Sequence, residues 1–495
     1  MNLFFRSLVL FVVLTQSLAA TPVSLTGNLD DWSREYLPEG VSVYATDWLR
    51  WSEWRYFDPP VPGGDPDYGY FSNRLRFGAK VNRPDWQSEI SLQYVNQAYL
   101  PDDASGTPGG GLGLGAAYYG LSQTSSPDSI YIKYLNLGLL NISGSGVNIN
   151  AGRFDYSSGT EVKTGIAKLD WLKNTRIDAR LIGGFGWSIY QRSFDGIKID
   201  WKNNYGQLNV AAFHPTQGGF SASANNDIDE IDVVATAYTI KPGVIAENME
   251  IQIFDYYLSD NRSIPTRPDN TGITTQTRQD IAIHSVGGHL VSAKQIGMGT
   301  ADFLLWGTYQ FGDWFEQKHR AGGVAAEAGY QFDNLPWKPW FRTGAFYGSG
   351  DDNPADNTHG TFYQMLPTVR KYAFTTTYNL MNNEDYFVQL LLSPLKQLKL
   401  RTDIHYLRLA ESSDLWYGGA GATVASGVVQ GYAGRPSGGA SELGTSLEFT
   451  LQYQVSNDIN IEAFYGHVFG SDVVKQIFTD SSDFDFFFVE STVVF

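Results

Sequence analysis

The strongest chemistry in this chain belongs to its basic side chains. Within residues 70–82, Arg74, Arg76 and Lys80 fall on even positions, opposite the apolar odd positions Phe71, Leu75, Phe77, Ala79 and Val81. Successive side chains of an extended strand point to opposite faces, so the three cations form one column. A guanidinium is planar and grips a carboxylate through two parallel hydrogen bonds. A column of such groups suits an anion that must give up part of its hydration shell. The same alternation puts Lys133, Arg192, Lys198, Arg342, Arg401 and His405 on the polar face of their segments, because Ile197, Ile199, Phe341, Leu400 and Ile404 take the other. Arg176 and Arg180 stand four apart in residues 169–181 and would share one face of a helix. Acidic residues also occupy the polar face: Glu89, Asp200, Glu250, Glu327, Asp403, Glu448 and Glu462. Cross-strand pairing within a charge-balanced wall is the competing use of each of these cations.

Other chemistries find less support. The seven histidines are scattered, no Gly-x-Ser-x-Gly elbow occurs, and no Ser/His/Asp set can be assembled, so a nucleophile held beside its base is not expected and the chain is not read as an enzyme. No cysteine is present, which excludes disulfides and Cys-ligated metals. Residues 351–357 carry Asp351, Asp352 and Asp356, oxygen donors that suit Ca²⁺. They lack the ordered spacing and closing Glu of a calcium loop, and a solvated turn is the preferred reading, leaving no expected cofactor. A formal net charge of −17 argues against nucleic acid as partner.

The elements that must position the cations are strands. Residues 1–6 carry one positive charge, residues 7–18 are apolar, and Ser17-Leu18-Ala19 resembles a cleavage site, so 1–19 reads as a secretory signal peptide. Residues 20–40 then form a periplasmic lead-in, and 41–495 a single domain, since no linker or composition shift divides them. Aromatic residues make up 15% of the chain and Gly is abundant, as expected of strands that alternate between lipid and water. About eighteen alternating segments run from 41–56 to 484–495, among them 147–156, 278–292 and 321–332. Their connections sort by length: short at 83–85, 203–205, 241–247, 333–337, around Pro394 and at 456–457, long at 57–69, 99–128, 157–191, 215–229, 259–277, 350–383, 411–440 and 470–483. Short periplasmic turns alternating with long outer loops define a transmembrane antiparallel β-barrel of the Gram-negative outer membrane. Turning Arg74 or Arg76 to lipid would cost roughly 2–4 kcal/mol near the midplane, so they must line the lumen. The long segment 157–191 is expected to fold into the mouth and present Arg176 and Arg180 beside Arg153 and Arg192. Arg153 shares the parity of Val147 and Ile149, so it lies above the bilayer or a bulge shifts the register.

Several motifs resemble the alginate export family of outer-membrane channels. They are Gly152-Arg153 followed by Arg192-Ser193-Phe194-Asp195-Gly196, then Glu327-Ala328-Gly329-Tyr330, Trp337-Lys338-Pro339, Gly348-Ser349-Gly350-Asp351, Thr361-Phe362 and Leu366-Pro367. Further on come residues 405–410, 414–417 and 443–448. Ser446 and Glu448 depart from the acidic pair that the family carries there. The resemblance implies eighteen strands and an arginine-rich lumen that passes polyuronate. The pore-lining set expected to touch such an anion is Arg74, Arg76, Lys80, Lys133, Arg153, Arg176, Arg180, Arg192, Lys198, Arg342 and Arg401. Expected partners are outer-membrane lipid, an anionic polysaccharide, the barrel assembly machinery that reads the terminal Phe495, and a periplasmic export complex. The alternatives are a general diffusion porin and an uptake porin for other sugars.

Overall fold

The computed structural model describes residues 29–60, 64–106, 110–264, 267–273, 277–278, 280–368, 370–425 and 432–495. The expected signal peptide lies outside them. Of the lead-in, residues Leu29–Tyr36 form a helix, whose Ser33 hydroxyl accepts a hydrogen bond from Val43 N at 3.1 Å and so ties the helix to the first strand.

Eighteen antiparallel strands follow. The first six are β1 (Val41–Arg55), β2 (Asp67–Asn82), β3 (Trp86–Ala98), β4 (Asp128–Leu139), β5 (Val147–Phe154) and β6 (Phe194–Lys202). Next come β7 (Gly206–Pro215), β8 (Ile231–Ile240), β9 (Met249–Asp260), β10 (Ile281–Ile296), β11 (Gly299–Trp314) and β12 (Gln317–Phe332). The last are β13 (Trp340–Gly348), β14 (Asn383–Leu392), β15 (Leu398–Arg408), β16 (Glu442–Gln454), β17 (Ile459–Gly470) and β18 (Asp483–Val494). Each pairs with its sequence neighbours, and β1 also pairs with β18 from Thr46↔Val494 to Arg55↔Asp485. Closure leaves no open edge, which the hydrocarbon interior of a membrane requires.

The alternation behind this architecture is visible in the side chains. Ile197, Ile199, Phe341, Val388, Ile404 and Phe449 point outward and are exposed, whereas Gln93, Glu250, Glu327, Asp403 and Glu448 on the inner face are buried. The rhythm breaks at two bulges among the described residues; in one, Leu407 of β15 faces Gly444 and Arg408 faces Glu442, leaving Leu443 unpaired. Between β3 and β4 the register shifts where Ser91 faces Tyr134 and Leu92 faces Ile132, so Lys133 is a bulge residue, and it and Tyr134 both line the lumen. The loops sort as expected with one exception: β11 and β12 meet in a two-residue outer hairpin, Phe315-Glu316, whose Phe315 takes a φ of 51°.

The lumen is not an open tube. Residues 155–193, 349–368 and 370–382 fold into it and bring their own core with them, including Leu169, Leu172, Ile182, Tyr363, Leu366 and Leu380, all buried. A second cluster joins wall to insert: Phe486 on β18 lies 4.2 Å from the Trp54 ring, 5.6 Å from Phe464 and 6.1 Å from Trp187 of the first inserted loop. Truncating this buried ring leaves a cavity. Phe486→Ala is expected to cost about 3–5 kcal/mol, read as a lower urea midpoint for the heat-modifiable folded band of the detergent-solubilised protein.

Candidate functional site

The first inserted loop is held by charge. It carries a short helix, Ala167–Leu172, that continues through a wider turn, Lys173–Ile177, and it turns three basic side chains against the wall. Lys173 Nζ lies 2.6 Å from Glu250 on β9. Arg176 grips Glu327 on β12 through two hydrogen bonds of 2.7 and 2.9 Å. Arg180 Nη2 donates to the same carboxylate at 3.3 Å, and its Nε donates to Arg176 O. Arg342 on β13 completes the cluster, 3.1 Å from Glu327 and 3.0 Å from Asp302. Glu327 therefore gathers three guanidiniums, all buried. Burial alone would weaken the charge of Arg176, but the adjacent Glu327 carboxylate overrides it and holds the guanidinium protonated well above its ordinary range. Burial lowers the pKa of Arg180, and lowers that of Arg192 to about 10, so Arg192 stays charged at neutral pH.

The second inserted loop is stitched to the first along the backbone. Gly183 N donates to Leu366 O, Leu366 N to Leu181 O and Thr368 N to Ala179 O, and the Gln364 amide donates to Arg180 O. It is also fastened to the barrel. Glu448 accepts hydrogen bonds from Phe374 N and Thr375 N, both at 3.1 Å. Asp414 accepts the Thr361 hydroxyl at 2.6 Å, and burial raises its pKa to about 6. His359 stacks on Trp314 with centroids 4.0 Å apart, and its Nδ1 lies 2.9 Å from His319 Nδ1.

Together the two loops divide the lumen into two chambers that meet at Thr368, which lines both. The outer chamber, 850 Å³, is bounded by Tyr56, Phe185, Phe220, Tyr378, Arg370 and Arg435. The inner one, 990 Å³, opens toward the periplasmic strand ends and is strongly basic. Its lining holds nine cations, Arg50, Arg74, Arg76, Lys133, Lys168, Lys338, Lys371, Lys399 and Arg401, against four carboxylates, Asp155, Asp178, Glu462 and Glu490. Arg50 pairs with Glu490 at 2.8 Å and is enclosed by the rings of Trp48, Trp187 and Phe488. Lys371 pairs with Asp178, and Arg401 with Asp403. The other six cations have no carboxylate at ion-pair distance among the described residues.

The expected pore-lining set divides accordingly. Arg74, Arg76, Lys133 and Arg401 line the inner chamber. Two of them also brace the loop: Arg74 Nη1 donates to Ser188 O at 3.0 Å, and Arg76 Nη2 donates to Gln191 Oε1 at 2.5 Å. Lys80 sits below the chamber, 3.6 Å from Glu89. Lys198 lines a separate 260 Å³ side pocket with Asp155, Glu161 and Asp200.

Three expectations are corrected. Arg176, Arg180 and Arg342 are consumed in the Glu327 cluster and do not face the passage. Arg192 is buried, donating to Ala420 O at 2.9 Å. Arg153 has the outward parity that its neighbours implied. It pairs with Asp195 on β6 and donates to Asn225 Oδ1 of the loop 216–230, outside the lumen. Asp351 and Asp356 spend side-chain oxygens on the backbone N–H groups of Asn353 and Thr358, and no group of three metal-ligating side chains occurs among the described residues. Sequence reasoning missed Arg50, Lys168, Lys338, Lys371 and Lys399. The signal for Arg50 was available, since it shares the parity of Trp48, Ser52 and Trp54 on β1.

A closed eighteen-strand barrel with a lumen partitioned by its own loops is an outer-membrane channel, and comparison with solved structures agrees. OccAB2 of Acinetobacter baumannii matches 95% of this chain and 99% of its own at a TM-score of 0.59 and 10% identity. A BenF-like porin of Pseudomonas fluorescens matches 92% and 98% at 0.55 and 10% identity. OpdK of Pseudomonas aeruginosa, solved with vanillate, matches 92% and 98% at 0.53 and 10% identity. At such identity the likeness defines the fold. The model of the alginate export family matches residues 172–488, and the chain belongs to that family. A search of curated proteins finds no match.

Two outcomes follow from the anchors. Glu327→Gln leaves the buried Arg176 and Arg180 without a carboxylate and Arg342 with Asp302 alone, a loss of about 3–5 kcal/mol. The freed loop should appear as larger and noisier single-channel conductance in a planar bilayer. His359 lies outside the spanning strands, and burial lowers its pKa from 6.5 to about 3. A folded-state pKa below the unfolded one stabilises above the unfolded value and loses that contribution as pH falls. The attachment of the second inserted loop should hold fully above pH 6.5 and weaken by about 2 kcal/mol near pH 5. Wild type should gate at acid pH, whereas the step should be smaller in His359→Asn and smaller still in His359→Asn/His319→Asn.

Proposed function

We propose that this chain is a passive, charge-selective channel for anionic saccharides, a polyuronate or its oligosaccharides. The observation that carries this reading is the sign of the inner chamber: nine cations against four carboxylates in a chain whose net charge is −17. At an effective dielectric near 20, opposite charges at 4 Å attract by about 4 kcal/mol, and salt screens exposed pairs over roughly 8 Å. A chamber crowded by inserted loops keeps a solute within that range; an open tube would not. Lys168, Lys338 and Lys399 supply charge near the wall, while Arg74 and Arg76 supply forked donors that fit carboxylates. Family membership supports a uronate as the solute.

One observation favours a shorter solute over a long polymer. The division at Thr368 leaves two chambers of 850 and 990 Å³, the size range of small-ligand sites, and OpdK, of like fold, was solved with a small aromatic carboxylate. Planar-bilayer recording with oligouronates of increasing length separates these readings. Anion-selective current blocked by short oligouronates is expected. Lys338→Gln/Lys399→Gln should lower anion selectivity at unchanged conductance. Arg74→Ser/Arg76→Ser should raise conductance and weaken the block by about tenfold or more, the loss of one charge-assisted contact. Cation preference, or current indifferent to oligouronate, would overturn the proposal.

A further inference from the structure

Three of the seven histidines face away from the lumen, and all three occupy the same place in the fold. His214 near the end of β7, His284 near the start of β10 and His467 near the end of β17 lie at the extracellular ends of their strands, on the face that carries the lipid-facing apolar residues. Each approaches an aspartate of the adjacent strand through Nδ1: Asp232 at 3.7 Å, Asp255 at 3.1 Å and Asp485 at 2.8 Å. Aromatic rings pack against two of them. His284 packs against Tyr257 and Phe311 at 4.8 and 5.4 Å, and His467 against Phe469 at 4.2 Å. An outward aromatic girdle marks the depth where acyl chains give way to headgroups. With Nδ1 turned to the carboxylate, Nε2 has no hydrogen-bond partner among the described residues.

A second observation comes from β12. Its outward positions Lys318 and Arg320 lie at the extracellular end; Lys318 pairs with Asp313 of β11, and Arg320 stands beside Phe311, on the side away from His284. Arg320 is exposed and has no ion-pair partner among the described residues. A cation facing lipid is costly at the midplane and far less so near the interface, where an anionic headgroup attracts it.

We propose that the patch of Arg320, Lys318 and the His284–Asp255 pair on the outer wall docks the phosphorylated glycolipid of the outer leaflet together with its bridging divalent cations. That headgroup layer alternates phosphate with metal ions. The patch alternates in the same way: guanidinium, ammonium and imidazole N–H donate to phosphate oxygens, and the aspartate offers oxygen to a cation. The His214 and His467 pairs repeat the smaller half of this pattern around the circumference. A wall that only neutralised its own charges would leave no guanidinium unpaired at this depth.

The test uses the full-length channel in phosphatidylcholine nanodiscs with Mg²⁺, titrated with bis-phosphorylated lipid A or with its dephosphorylated form. Bound lipid is counted by native mass spectrometry, and thermal unfolding is followed in parallel. Wild type should retain the bis-phosphorylated lipid and unfold at higher temperature with it, but not with the dephosphorylated form or with inorganic phosphate. Lys318→Gln/Arg320→Gln/His284→Gln should bind it at least tenfold more weakly while keeping wild-type conductance in phosphatidylcholine alone. His214→Gln should cause a smaller loss. Equal binding of both lipids by wild type, or undiminished binding by the conducting triple variant, would overturn the proposal.

Discussion

The partition of the lumen depends on one buried carboxylate. Glu327 sits on the inner face of β12, where water would otherwise solvate it, and three guanidiniums from two distant segments replace that water. A buried ion pair must offset the desolvation of both partners and does so only when geometry and additional hydrogen bonds are good. Here Arg176 meets both carboxylate oxygens and lies 3.3 Å over the Tyr372 ring of the second loop. The cluster thus joins the wall, the first insert and the second insert at one point. Lys173 with Glu250 and His289 supplies a second fastening of the same kind.

This division of labour explains why the lumen can be both charged and closed. Inner-face charges on β9 to β13 are largely used up in holding the inserts. Those on β1 to β4, and the lysines of the periplasmic strand ends, are left facing the inner chamber. A wide, water-filled barrel with the same composition would screen its charges over a few ångströms of electrolyte. Filling it with chain brings a passing solute close to the cations that remain. The outer wall solves a different problem, because its few charges must meet headgroups, and it places them in pairs at the extracellular strand ends.

The motifs that resemble the alginate export family acquire a physical meaning from these contacts. Glu327 is the hub of the arginine cluster, Asp414 accepts Thr361 and the Asp351 backbone, and Glu448 caps the backbone of Phe374 and Thr375. None of the three faces the inner chamber. The residues that carry the resemblance therefore hold the inserts in place, and the cations of the passage lie mostly outside those motifs. That distinction separates the residues that carry the family likeness from those that a solute would meet in the inner chamber.

The sequence by itself determined the cylinder. Two-residue alternation and the sorting of loops by length specified eighteen strands, their facing and the inward turn of Arg74, Arg76, Lys133 and Arg401, because side-chain direction along a strand is a local property fixed by the pleat. It also exposed the anomaly of Arg153 through parity alone. Which inward or loop cations remain available to a solute was decided only by the tertiary structure. Arg176 and Glu327 are separated by 151 residues, and no periodicity relates a folded-in loop to the wall it meets. Identical parity therefore describes Arg342, fully neutralised in the core, and Arg401, facing the chamber; the difference is made by which inserted segment packs against each.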